Sequence, residues 1–325
     1  MATMRAWMTG LLVIGAGVPA MALGCGIDTN RPLMDAGADA NDAGTTDAGT
    51  VEGDASCRLG EPFGALIAEP TLSSGYSDDS VRITPDRLEA YVSRRTAVDF
   101  VELFRYRRAS VDAAWQSVGM EPLLSKYSDG GRSSGHTPTF SADGLQAIYQ
   151  YYEDNTGHGS LFLTTRATPD GAWSAPAPAA GLESNASDEA PWWSQDGTTL
   201  WFFSDRQTYE PRIYTAERVG NGFAAPQRIP ALGIDNESYP VVTADKLTMY
   251  FATRVLNTME VRRATRASTS EPFGNVVPVK ELNLDNWKTV PSWITPDGCV
   301  LYVVGNRPTS ANGGFDVYRA EKPAR

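Results

Sequence analysis

Ile294-Thr-Pro-Asp297-Gly298, running straight into Cys299-Val-Leu-Tyr-Val303, decides the architecture, because the same phrase stands at four other places. Ile83-Thr-Pro-Asp86, Phe140-Ser-Ala-Asp143-Gly144, Trp193-Ser-Gln-Asp196-Gly197 and Val242-Thr-Ala-Asp245 are its copies, each leading into an apolar, aromatic-rich run. The turn aspartates lie 57, 53, 49 and 52 residues apart. A fixed period near fifty marks one supersecondary unit stacked along a line or set around an axis.

Each copy reads as four short strands. In the third, Ala190–Ser194, Thr198–Ser204, Arg212–Glu217 and the segment after Phe223 are rich in aromatic and branched residues that suit a pleated surface. Asp-Gly between the first two runs is hairpin chemistry, with glycine supplying positive φ and the carboxylate bonding the turn backbone. No amphipathic helix is evident beyond residue 58. A single four-stranded sheet cannot cover both its faces, so neighbours must, and residues 58–325 divide into five such units. The expectation is an all-β, five-bladed propeller; an open β-solenoid would need capping repeats that are not apparent.

The chain ends predict how the ring closes. Glu61-Pro-Phe-Gly64 and Glu271-Pro-Phe-Gly274 are the same tetrapeptide, and the second leads into the outermost strand of the fourth unit. The fifth unit stops one strand short at Phe315–Ala320, so residues 61–72 are expected to complete it. Cys57 and Cys299 then fall in one blade, where a disulfide is possible in an oxidising compartment.

The first residues read as an address. Arg5, an apolar stretch from Trp7 to Val18 and Ala22-Leu-Gly-Cys25 have a secretory layout. They resemble a bacterial lipoprotein signal over residues 1–25, which implies lipidation at Cys25; an ordinary cleaved signal or an uncleaved anchor are the alternatives. Residues 26–57 read as a flexible tether: 26–56 carry seven carboxylates against one arginine, with few apolar groups to order them. The net charge of −11 leaves no basic footprint for nucleic acid.

Candidate chemistry is thin. Gly131-Arg-Ser-Ser-Gly135 fits a hydrolase-elbow pattern, but it leads into Pro138-Thr-Phe140 of a strand where an elbow needs a helix. Two histidines, His136 and His158, argue against a His-based metal site, and no cofactor is expected. A second pattern repeats more clearly. Seven or eight residues before the turn Asp stand Asp78 and Asp79, Asp188 and Glu189, or Glu237; after it come Arg94 and Arg95, Arg206, or Arg254. The second copy has His136 before the turn and Tyr152 and Glu153 after it, and the fifth keeps Arg307 alone. These read first as ion pairs tying loops at one mouth of the ring, and second as a ligand mouth including Trp287 and His136. Paired carboxylates could also serve glycoside hydrolysis. Against that, the inner strands read as Arg82, Thr139, Trp192, Val241 and Ser292, without a carboxylate.

Ile294-Thr-Pro-Asp-Gly298 with Val300–Val303 and Asp316-Val-Tyr318 resembles the PD40 repeat, the WD40-like repeat of TolB-type propellers, over about residues 60–322. Trp193–Gly197 with Leu200–Phe203 matches nearly as well; Asp86-Arg87 and Asp245-Lys246 lack the glycine. The resemblance implies a periplasmic propeller with no shared catalytic residues. The expectation is therefore a monomeric, lipid-anchored envelope protein, non-catalytic, binding a protein or glycan at one mouth. The competing reading is a carbohydrate-active enzyme using the mouth carboxylates.

Overall fold

The computed structural model describes residues 56–325, except 98–99, 123, 125–134, 153–157, 209, 231, 309 and 311–313. The leader, Cys25, nearly all of the tether and Gly131–Ser134 lie outside the described residues.

Five small antiparallel sheets form a five-bladed β-propeller. The first strand, β1 (Ile67–Ala68), belongs to the last blade. Blade 1 follows as β2 (Ser77–Ile83), β3 (Glu89–Ala97), β4 (Phe100–Arg107) and β5 (Gln116–Met120). Blade 2 holds β6 (Gly135–Phe140), β7 (Gln146–Tyr152), β8 (Gly159–Thr165) and β9 (Ala177–Pro178). Blade 3 holds β10 (Asp188–Trp193), β11 (Thr199–Ser204), β12 (Arg212–Val219) and β14 (Gln227–Arg228), with β13 (Gly222–Phe223) as a short extension of β12. Blade 4 holds β15 (Glu237–Val242), β16 (Thr248–Val255), β17 (Thr258–Thr265) and β18 (Gly274–Pro278). Blade 5 holds β19 (Thr289–Ile294), β20 (Val300–Gly305) and β21 (Asp316–Glu321), completed by β1.

The repeated phrase is a turn built five times to one plan. A hydroxyl two residues before the Asp donates to its Oδ1: Thr84 (2.6 Å), Ser141 (2.5 Å), Ser194 (2.6 Å), Thr243 (2.6 Å) and Thr295 (2.5 Å). The same hydroxyl accepts a backbone N–H five residues on, as Thr199 N to Ser194 Oγ (2.8 Å). The residue after the Asp is left-handed in every copy: Arg87 (φ 64°), Gly144 (68°), Gly197 (73°), Lys246 (59°) and Gly298 (71°). Glycine is therefore favoured there but not indispensable.

A second five-fold device ties each outer strand to its blade. Arg108 lies over Trp115 (4.2 Å), Arg166 over Trp173 (4.4 Å), Arg218 over Phe223 (5.2 Å), Arg266 over Phe273 (4.4 Å) and Lys322 over Phe63 (4.5 Å). Three of the arginines, Arg108, Arg166 and Arg266, also donate Nε to the carbonyl of the left-handed turn residue at 2.7 Å. The shared Glu-Pro-Phe-Gly tetrapeptide thus has one job in both places: it lays a phenyl ring under the cation of its blade.

Ring closure follows the expected scheme. Gly64 N donates to Glu321 O (2.8 Å), Ile67 faces Arg319, Ala68 faces Tyr318, and Glu69 N donates to Val317 O (2.9 Å). Cys57 and Cys299 are disulfide-bonded, with Cα atoms 5.7 Å apart and both residues buried. Neighbouring blades are stitched by hydroxyls at the inner strands, Val81 N to Ser292 Oγ (2.8 Å) and Trp193 N to Thr139 Oγ1 (2.9 Å).

Candidate functional site

The inner strands are longer than the sequence suggested, and that changes which side chains meet. Counting back from each turn Asp, the eighth residues are Asp78, Gly135, Asp188, Glu237 and Thr289. The seventh are Asp79, His136, Glu189, Ser238 and Val290. All ten lie inside β2, β6, β10, β15 or β19. Carboxylates therefore do sit on inner strands, contrary to expectation. Each of these strands also carries a register shift, at Asp79 in β2, directly after the two positions in β6, β10 and β15, and after Pro291 in β19. In blades 2, 3 and 4 the residue at the shift is left-handed although it is not glycine: Thr137 (46°), Ala190 (47°) and Tyr239 (52°). Such bulges re-aim side chains, and strain of this kind persists only where the surroundings enforce it. Counted from the turn Asp, the residue of blade 5 equivalent to Trp192 is Trp293 and not the expected Ser292, and Trp293 faces Tyr302 as Trp192 faces Trp201.

The eighth positions are structural. Asp78 is fully buried, takes Arg94 Nε at 2.7 Å and Ser74 N at 2.7 Å, and has its pKa raised by burial against the pull of Arg94. Asp188 takes Arg206 Nη2 (2.7 Å) and Ser184 Oγ (2.6 Å). Arg94 and Arg206 each donate onward to a leucine carbonyl, Leu72 and Leu182. Arg307 makes the same onward bond to Leu282 O (2.6 Å) and meets Thr289 Oγ1 (2.7 Å) where blades 1, 3 and 4 have a carboxylate. Blade 4 departs from the expected pairing. Glu237 accepts Ile213 N (3.3 Å) and Leu232 N (3.4 Å), burial raises its pKa, and Arg254 stands exposed elsewhere. The reason is parity: Glu237 faces Thr253, so Arg254, one residue on, projects from the other side of the sheet.

The seventh positions converge. Asp79 is ion-paired to Arg95 (2.7 Å) and takes Ser77 Oγ (2.7 Å). His136 meets Tyr152 edge-on at 5.4 Å, and burial, assisted by Arg95, pushes its pKa down to about 3, so the ring is neutral. Glu189 takes Ser187 Oγ (2.7 Å) and hydrogen bonds from Tyr152 and Gln150; burial raises its pKa, and the Asp205 charge acts the same way. Tyr239, from blade 4, packs on Phe203 (5.2 Å) and feels the charges of Glu189, Asp79, Arg95 and Arg82, from blades 3 and 1. Its phenol is pushed up by burial first and by the two carboxylates next. Four blades thus contribute to one polar cluster near the axis: Asp79, Arg95, His136, Tyr152, Glu189 and Tyr239.

Of the residues expected at a ligand mouth, Glu189 and His136 enter this cluster. Asp188, Glu237, Arg206 and Arg307 are tied into the walls, Arg254 is exposed, and Trp287 is half-buried in the loop before β19. Tyr239 gave no sequence signal, because only the ring geometry brings blade 4 toward blades 1 and 3.

No family model and no curated protein matches the sequence. Among solved structures, the GH43_1 enzyme from Xanthomonas citri is 16% identical with a TM-score of 0.55, covering 79% of this chain and 90% of that one. The RS223 β-xylosidase is 12% identical with a TM-score of 0.52, covering 79% and 94%. TolB from Acinetobacter baumannii is 16% identical with a TM-score of 0.46; it matches 77% of this chain, which spans 56% of that protein. The first two likenesses show a fold alone: a five-bladed propeller that those hydrolases share. The expectation of a non-catalytic binding module is corrected accordingly. Solved structures with this ring include hydrolases, and the supposed lack of inner-strand carboxylates was the main ground against catalysis.

Proposed function

We propose that the protein is a glycoside hydrolase whose chemistry lies at the axial cluster, with Glu189 as the acid and Asp79 as the second carboxylate. The observation that carries this reading is the contrast between these two groups on non-adjacent blades. Glu189 is half-buried, hydrogen-bonded to neutral groups and held above its ordinary pKa; Asp79 is gripped by a guanidinium. Two carboxylates set in opposite environments within one polar cluster are what acid-assisted cleavage of a glycosidic bond needs, one to protonate the leaving oxygen and one to activate water or attack carbon. Tyr239 and neutral His136 supply further polar groups for sugar hydroxyls. The leader and Cys25 support export and lipid anchoring in the cell envelope as part of the same proposal.

The test is hydrolysis of a panel of aryl glycosides, an aryl β-xyloside first because a β-xylosidase shares the fold. Glu189→Gln should lower kcat by about 10²–10⁴, the usual worth of a general acid, while Asp79→Asn should remove turnover separately. The wild-type rate should fall as pH rises through the elevated pKa of Glu189. Absence of turnover on the whole panel, or unchanged turnover in both variants, refutes the assignment.

A further inference from the structure

A cavity at the opposite, turn-side end of the inner strands has no role in that chemistry. Its walls are Trp192, Trp193, Trp293, Phe140, Thr139 and Arg82, and its volume is about 60 Å³. Arg82 is an unusual wall. It is 1% exposed, its Nη1 donates to Ser292 O (2.6 Å), and its guanidinium lies 5.4 Å from the Trp192 ring centre. Its Nε has no hydrogen-bond partner, and no carboxylate pairs with it among the described residues.

Elsewhere the protein gives buried arginines an anion: Arg94 has Asp78, Arg166 has Glu89 and Arg206 has Asp188. Arg307 is a second buried arginine without an ion pair, but it is spent on Leu282 O and Thr289 Oγ1 and does not border this cavity. Burial pushes the Arg82 guanidinium down to about 9, with Tyr239 acting the other way, so it remains a cation at neutral pH. An uncompensated buried charge is among the most costly groups a fold can carry. Here it stands beside an open, indole-walled space.

We infer that this cavity is a second binding site, one that takes a planar-ring carboxylate: the ring lies against the indoles and the carboxylate meets Arg82. A guanidinium favours a planar, two-oxygen anion, and tryptophan faces favour flat rings. The overall charge of −11 works against non-specific anion uptake, so any carboxylate preference has a local origin.

The probe is benzoate against its neutral counterpart benzamide, titrated into the full chain by calorimetry and followed by tryptophan fluorescence. Benzoate should bind at least ten-fold more tightly than benzamide and quench the indole emission. Arg82→Met should erase that ten-fold preference, and Trp293→Ala should weaken both ligands together. Equal affinities for the two probes in the wild-type protein, or no binding of benzoate at millimolar concentration, overturns the proposal, and this arm requires no variant to fold. A folded Arg82→Met protein that keeps the benzoate preference overturns it equally.

Discussion

The five turns form an internal experiment on backbone conformation, and replacing Arg87 with glycine completes it. Arg87 holds φ 64° where Gly144, Gly197 and Gly298 hold 68°, 73° and 71°. A non-glycine residue in the left-handed region costs about 1–2 kcal/mol, while the extra freedom of glycine in the unfolded chain returns about 0.5–1 kcal/mol. Little else is lost, because the Arg87 Nε is buried without a partner and the carbonyl held by Arg108 belongs to the backbone. Arg87→Gly should therefore stabilise the fold by about 0.5–1 kcal/mol, a rise in Tm of about 1–4 °C for a domain of this size. Lys246→Gly relieves the same strain but forfeits Nζ contacts with Asp196 (2.6 Å) and Thr198 (2.7 Å); a partly exposed pair of this kind is worth about 0.2–1 kcal/mol, so the change should be near neutral. In the reverse direction, a Cβ added at Gly197 meets nothing within 4 Å, so Gly197→Ala isolates the conformational cost at about 1 kcal/mol. Thermal unfolding by circular dichroism, at one scan rate for all variants, reads these differences. A lower Tm for Arg87→Gly, or an unchanged Tm for Gly197→Ala, refutes the reasoning.

Two further outcomes follow from the same coordinates. The Cys57–Cys299 bond spans 242 residues, for which loop-closure entropy gives a stabilisation of about 5 kcal/mol; the Cys57→Ser, Cys299→Ser double variant should lose a large part of it in urea unfolding, and a loss under about 1 kcal/mol shows that the bond does not clasp the ring. Glu189 is held above its ordinary value of 4.5, so the folded chain retains a proton that the unfolded chain releases. That stabilisation is complete below pH 4.5 and fades as pH rises through the folded value. Glu189→Gln should accordingly raise Tm at pH 7 and change it little at pH 4, and an equal shift at both pH values sinks the assignment.

Blade number, turn chemistry and ring closure were legible because each rests on short signals: Asp before a left-handed residue, the Glu-Pro-Phe-Gly tetrapeptide in the closing segment and again in blade 4, and a cysteine in each of the two parts that meet. The cation-on-ring device was legible too, in the seven-residue spacing of Arg108 and Trp115, Arg166 and Trp173, and Arg266 and Phe273. What could not be read was anything governed by parity. One residue of register sends Arg254 away from Glu237. Long inner strands hid Asp79 and Glu189 as apparent loop residues. Tyr239 depends on distance across the ring, which no local pattern records.

The position of β1 has a consequence for biogenesis. β1 finds its hydrogen-bonding partner only when β21, far later in the chain, has been synthesised. Until then the final blade lacks its rim, and Cys299 has not yet been added for Cys57 to join. Closure of the ring therefore waits for β21, and removal of residues 316–325 takes away the mate of β1.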